Sequence, residues 1–140
     1  MLLLVSGMKG ELVYVELKTG QFDCGPAWIG FAERSKSGRT LYFNDRAFQS
    51  CKGRGVGANY FDLETGEQYW ISGVKGDLSD RHWAGSGIVL VERKALRECM
   101  NVVGLEEFPK SGYDLVDLEV GDVRERVKAL ENEKVRSDGE

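Results

Sequence analysis

The sequence predicts a mainly β protein, a small antiparallel curled sheet or SH3-like barrel with short C-terminal α-helices. Short stretches of alternating apolar and polar residues follow one another from residue 11 to residue 72, and this period is that of a half-buried strand. Turns rich in glycine separate these stretches without intervening helical patterns, as in an antiparallel meander. Helical spacing of apolar residues begins only after residue 91. We therefore expect strands first and helices last.

Length and charge indicate one main domain with an acidic tail. The chain has 140 residues and a net charge of −4, a size that suits a single domain. We expect a β domain over residues 1–104, with its core at 11–92 and a capping helix, followed by an acidic C-terminal extension with one helix over 105–140. The charge is uneven, because residues 34–54 are strongly basic and residues 106–140 are acidic. The two regions can attract each other or face different partners.

Cysteine content and the N-terminus indicate a cytoplasmic protein. The three cysteines are an odd number without a paired short spacing, so neither a disulfide framework nor a zinc ribbon is expected. The apolar stretch Met1–Val5 is too short for a secretory core or a membrane span. Met8 directly precedes the first strand and is an alternative start residue. We expect no metal, no cofactor and no membrane partner.

Four strands are predicted before the centre of the chain, at residues 11–17, 27–33, 39–43 and 47–50, and each is bounded by glycine, proline or Asn-Asp turn residues. On the second strand the alternation places Ala27, Ile29 and Phe31 on the core face and Trp28 on the opposite face.

The chain is organised around residues 57–87, in which a hairpin over residues 58–72 is followed by a loop with the single histidine. Two aromatic strands flank Glu64-Thr65-Gly66, where glycine can adopt the left-handed conformation that a short loop requires. Phe61 and Leu63 share one face of its first strand, and Tyr60 lies on the other. On the second strand, the pattern places the pair Tyr69 and Ile71 opposite Trp70.

Three further elements follow the hairpin. Ile88–Val91 is a continuous apolar run typical of a buried strand, and Glu92–Val102 has the composition of a helix that caps one end of the barrel. The pattern of Asp122–Val135 is helical, with Val123, Val127 and Leu130 on a narrow apolar stripe. This helix either leans on the barrel or awaits a partner, and we favour leaning.

Several motifs resemble a family of small uncharacterised bacterial proteins. The similarity covers residues 11–92 and is carried by Tyr14–Gly20, Gly25–Gly30, Ser35–Phe43, Asn59–Asp62, Thr65–Glu67, Tyr69–Gly73 and Asp80–Gly87. The resemblance implies no settled activity. Members have been labelled as a deoxyxylulose phosphate synthase, but a thiamine-dependent enzyme needs cofactor and substrate domains that exceed this length.

The main candidate binding surface combines aromatic and basic residues. The predicted strand faces place Trp28, Tyr42, Tyr60 and Trp70 opposite the core, close to several arginines, and small barrels bind single-stranded nucleic acid or peptides through such surfaces. The full candidate set is Trp28, Arg39, Tyr42, Arg54, Tyr60, Trp70, His82 and Trp83. The alternative is that these aromatic residues form a second core beneath the terminal segments, because a large exposed aromatic patch is costly.

A second candidate is a catalytic loop. Asp80, Arg81 and His82 are adjacent, and a histidine beside carboxylates can act as a general base. The simpler interpretation is that Asp80 and Arg81 brace the loop while His82 packs on the barrel. A thiol–imidazole pair between His82 and Cys24 or Cys51 lacks a supporting motif. The glycines at 53, 55 and 57 are not a dinucleotide fingerprint, since a strand follows them.

The sequence therefore predicts a noncatalytic binding or interaction module. Its partner is an unknown protein or single-stranded nucleic acid. The alternatives are a small hydrolase-like enzyme centred on Asp80, Arg81 and His82, and an immunity-like protein whose acidic C-terminal region holds a toxin.

Overall fold

The computed structural model describes residues 10–18, 26–51, 58–74, 88–104 and 112–131. The regular elements in these ranges are β1 (Glu11–Leu17), β2 (Ala27–Arg34), β3 (Thr40–Phe43), β4 (Arg46–Ser50), β5 (Tyr60–Asp62), β6 (Gln68–Gly73), β7 (Val89–Glu92), α1 (Leu96–Val103), β8 (Tyr113–Val116) and α2 (Val123–Arg126). A 3-10 turn, Arg93–Ala95, leads into α1. Residues 128–131 form another helical turn after α2.

Six strands close into an antiparallel barrel, which confirms the predicted fold class. The order around the barrel is β1, β6, β5, β4, β3 and β2, and β2 pairs again with β1. In this closing pair Val13 lies opposite Gly30 and Val15 lies opposite Trp28. Two strands extend the sheet outside the barrel. β7 runs parallel to β2, and β8 runs parallel to β7.

Tight turns join the short strands. The turn between β3 and β4 consists of Asn44 and Asp45, with φ of 52° and 60°. Both angles are positive, as in the type I′ turn that matches the twist of a two-residue hairpin, and Asn and Asp tolerate this conformation better than most residues. The central hairpin turns at residues 63–66 as predicted, with Gly66 at φ 80°.

Among the residues that the structure describes, the apolar side chains form three clusters. The barrel core consists of buried residues from the strands that close the barrel, namely Val13, Val15, Ala32, Leu41, Phe43, Phe48, Tyr69 and Ile71. The outer core joins the opposite face of β1 and β2 to β7 and α1 through Tyr14, Ala27, Ile29, Val89, Val91 and Cys99. The C-terminal cluster packs α2 on the barrel through Ala47, Val123 and Val127. Both faces of the sheet are therefore buried over much of the barrel.

The predicted facing of β2 is wrong. Ala27 and Ile29 belong to the outer core, whereas Trp28 packs against the barrel core. The alternation is real, but the outer face of β2 packs in the outer core with α1 and with side chains of the neighbouring strand β7, so both faces of this strand carry apolar residues. In such a strand the period gives no sign of which face is internal.

The C-terminal region completes the same fold. Tyr113–Val116, for which the sequence predicted no regular structure, pairs with β7 as β8. The predicted C-terminal helix is shorter in the described residues, and Val123 and Val127 of its apolar stripe are 4% and 0% exposed. The helix leans on the barrel, as we favoured.

Candidate functional site: an acidic cleft beside the barrel

The predicted aromatic residues do not share one face. Trp28 and Tyr60 pack against the barrel core, Trp70 packs against the outer core, and Tyr42 packs against the C-terminal cluster. The expectation of a single aromatic strand face is therefore wrong. These contacts agree with the alternative in which terminal segments cover part of the aromatic set. A binding role for the individual residues stays a prediction.

Two arginines of the basic region are paired within the fold. Arg34 donates to Glu11, and this hydrogen bond is the main cause that raises the pKa of Arg34. Arg46 Nη1 lies 3.0 Å from Oδ2 of Asp62, whose side chain is 1% exposed. Arg39 is exposed and has no ion pair within the described ranges. Pairing of this kind lowers the positive potential that a nucleic acid would meet.

The remaining predicted site residues lie outside the described residues. Arg54, Asp80, Arg81, His82 and Trp83 belong to this group, as do Cys24 and the glycines at 53, 55 and 57.

A cleft begins where one edge of β2 changes partners. Residues 27–29 of β2 pair with β7, but Glu33 and Arg34 pair with β3 on the same edge. Between these two pairings the N–H of Phe31 donates to Oε1 of Glu92, at 2.9 Å. The carboxylate of Glu92 thus satisfies a backbone donor where the neighbouring strands diverge.

Gly30 makes room for this arrangement. A Cβ atom at residue 30 would lie 2.9 Å from Oε1 of Glu92 and 3.0 Å from Cδ1 of Leu118. Both distances are too short for a side chain at this position without movement of its neighbours. The Glu92 carboxylate and the Leu118 side chain therefore both lie beside residue 30.

Residues 117–125 form the opposite wall of the cleft, and the β3–β4 turn fixes their position. The N–H of Glu119 donates to Oδ1 of Asn44, at 2.9 Å. Gly121 approaches Asp45 so closely that a Cβ atom at residue 121 would overlap with the Asp45 carboxylate. Only glycine fits this contact without rearrangement.

Arg126 fastens α2 to two turns of the barrel. Its Nη1 and Nη2 donate to Oδ1 and the backbone oxygen of Asp45, both at 2.9 Å. Its Nε and Nη2 donate to the two carboxylate oxygens of Glu64, at 3.0 and 2.9 Å, in a bidentate pair. The hydrogen bond from Arg126 is the main reason why the pKa of Glu64 is lowered.

Arg124 attaches the same helix to β2 and β3. Its guanidinium lies over the Tyr42 ring, 4.2 Å from the ring centroid, and its Nη2 donates to Oε1 of Glu33 at 2.7 Å.

The resulting cleft has a volume of about 820 Å³ and combines apolar and acidic surface. Its apolar lining includes Phe31, Tyr42, Phe43, Leu118, Val120 and Val123. Within the described part of the chain, seven carboxylates line it against two cations, Lys94 and Arg124. Four of these carboxylates bind arginines of the chain, namely Glu33, Asp45, Asp117 and Asp122. Glu92, Glu119 and Glu125 have no cationic partner among the residues that the structure describes.

Sequence reasoning missed this cleft. The acidic composition of residues 106–140 was evident, but nothing in the pattern placed residues 117–125 beside β2 and β3. Within the described ranges, no group of three or more metal-ligating side chains is close enough to hold a metal ion. No helix in those ranges is long and apolar enough to cross a membrane.

Comparisons with protein-family models, with curated proteins and with solved structures found no match to this chain. The resemblance to a bacterial family therefore stays an expectation.

Proposed function

We propose that the protein is a noncatalytic interaction module that binds a cationic partner, a basic protein segment, in the cleft between β2 and residues 117–125. The observation that carries this proposal is the excess of carboxylates around an apolar lining. Acidic groups around a concave apolar surface attract basic ligands and orient them as they dock. The free thiols of Cys51 and Cys99 are compatible with a reducing, cytoplasmic location.

The proposed partner and surface differ from the nucleic-acid ligand and aromatic face that the sequence predicts. A single-stranded nucleic acid would meet like charge in the cleft, and Arg34 and Arg46 of the basic region are engaged by Glu11 and Asp62. Like charge at close range opposes binding. A basic protein segment meets opposite charge at the same place.

A titration with defined probes tests the proposal. The probes are a fluorescent peptide of alternating lysine and leucine, its glutamate–leucine counterpart and a single-stranded oligonucleotide. We expect saturable binding of the lysine–leucine peptide alone, with an affinity that falls as salt is added because the charges are screened. In NMR spectra of the labelled protein, the amide signals of Phe31, Leu118 and Val120 should move with saturation.

Two results would contradict the proposal. One is the absence of saturable peptide binding at low salt. The other is preferential binding of the oligonucleotide, with the largest signal changes around the exposed Arg39 rather than at the cleft. The second result would restore the nucleic-acid hypothesis.

A further inference from the structure

The three carboxylates of the cleft without a cationic partner among the described residues are not equivalent. Glu119 and Glu125 are exposed, whereas Glu92 is partly buried. Glu92 is also held in place, because Phe31 N–H binds its Oε1 and the close packing at Gly30 limits its movement. An oriented, partly desolvated carboxylate binds a cation more strongly than a mobile one on the surface, since less rotamer freedom is lost and water screens the pair less.

The surroundings of Glu92 suit a cation on a long apolar stem. Phe31 and Leu118 are partly buried residues of the cleft, and Leu118 and the Glu92 carboxylate both lie beside Gly30. Lysine and arginine side chains have this form, with methylene groups that pack on apolar surface and a charged end that reaches a polar group.

Resting on the proposed function of the cleft, we propose that Glu92 determines its specificity by binding one lysine or arginine side chain of a peptide. The stem of that side chain packs on Phe31 and Leu118. Glu119 and Glu125 supply general attraction to the remaining positive charges. Val120, which is 81% exposed, offers a contact for an apolar residue of the peptide. A free polyamine has no apolar side chain for this contact, which is why the proposal commits to a peptide.

Matched substitutions separate this role from simple charge attraction. Glu92→Gln and Glu119→Gln each remove one negative charge from the cleft, and glutamine at residue 92 keeps a carbonyl oxygen that accepts the Phe31 N–H. For the lysine–leucine peptide we expect about a tenfold loss of affinity in Glu92→Gln, as for a charge-assisted hydrogen bond. We expect about a twofold loss in Glu119→Gln, as for an exposed ion pair. The Glu92→Gln loss should persist at higher salt, where the Glu119→Gln loss fades.

A measurement on the unaltered protein covers the case in which Glu92→Gln does not fold. The amide signal of Phe31 should move as the peptide saturates the protein, because its N–H is bonded to Glu92. An unmoved Phe31 signal at saturation would overturn the role of Glu92.

The remaining outcomes distinguish this inference from the function on which it rests. Equal losses in the two variants would overturn the special role of Glu92 while leaving a cationic partner for the cleft. Binding of spermidine as tight as that of the peptide would make the occupant a polyamine and overturn the peptide assignment. Failure of the unaltered protein to bind the peptide would remove the proposed function itself.

Discussion

Replacing Val127 with alanine tests whether the C-terminal region is part of the folded unit that builds the cleft. Val127 is 0% exposed and packs in the C-terminal cluster with Ala47 and Val123. Removing two methyl groups costs about 1.6 kcal/mol at about 0.8 kcal/mol per buried carbon, and the unfilled space raises the loss to about 2 kcal/mol. The better helix propensity of alanine offsets at most about 0.6 kcal/mol of this.

Urea denaturation followed by tryptophan fluorescence measures the effect, because Trp28 and Trp70 both lie in the barrel and report its unfolding. With a slope of about 1.5 kcal/mol per molar urea for a domain of this size, a net loss of about 1.4 to 2 kcal/mol should lower the midpoint of Val127→Ala by about 0.9 to 1.3 M. The matched control is Val120→Ala, the same change at a position that is 81% exposed, and it should alter stability by about 0.5 kcal/mol or less. Equal midpoints for the two variants would refute the reasoning, since the stability of the barrel would then not depend on the packing of the C-terminal helix.

Two further predictions concern the walls of the cleft. Gly30→Ala should lower the free energy of unfolding by about 1–3 kcal/mol, because the added methyl group is overpacked against Glu92 and Leu118. The control is Gly73→Ala, which has no atom within 4 Å of the added Cβ and should change stability by about 0.5 kcal/mol or less. Equal urea midpoints for the two variants would argue against the close approach at residue 30. Burial, followed by the negative charge of a nearby glutamate, raises the pKa of Tyr42 above its usual value. Its contribution to stability is therefore complete below pH of about 10 and is lost as the pH rises through the folded-state pKa. Ultraviolet titration of the protein against Tyr42→Phe should show that the missing phenol ionises above pH of about 10, and a phenol that ionises at the ordinary value would contradict the burial.

The sequence predicts the barrel strands because each carries its own local signal. The alternation in β1 and β3 and the turn at residues 63–66 depend on neighbouring residues alone, and the structure has them where the sequence predicted. Local signals do not extend to pairing between distant strands. The parallel addition of β7 to β2, and of β8 to β7, depends on contacts that the pattern does not encode.

The facing of a strand was predictable where one of its faces is clearly more hydrophobic than the other. β3 has Leu41 and Phe43 in the barrel core and Tyr42 on the other side, as predicted. On β2 the prediction failed, because Ile29 is buried in the outer core with Val91 of the neighbouring strand β7 and Cys99 of α1, while Trp28 packs toward the barrel core. When both faces of a strand carry large apolar residues, hydrophobicity cannot distinguish the interior of the barrel from a second core outside it.

The cleft was harder to predict from the sequence than the barrel core or the outer core. Its walls come from β2, the end of β7 and the irregular residues 117–122, which meet through single contacts such as Glu119 N–H to Asn44. The sequence shows the carboxylates of the C-terminal region, but it does not show which of them bind arginines of the chain and which are available to a ligand. Arg124 and Arg126 together bind four acidic groups of the region, whereas Glu92 is a partly buried carboxylate without a cationic partner among the described residues.

The distribution of arginines links the fold to the proposed partner. Arg46 and Arg126 each bind acidic residues at turns of the barrel, so part of the positive charge of the chain is used to hold its own loops and C-terminal helix. Pairs of this kind leave little field beyond the surface, because opposite charges at short range cancel at a distance. The carboxylates without such partners then dominate the potential at the cleft. A basic segment would meet an attraction there that the net charge of −4 alone would underestimate.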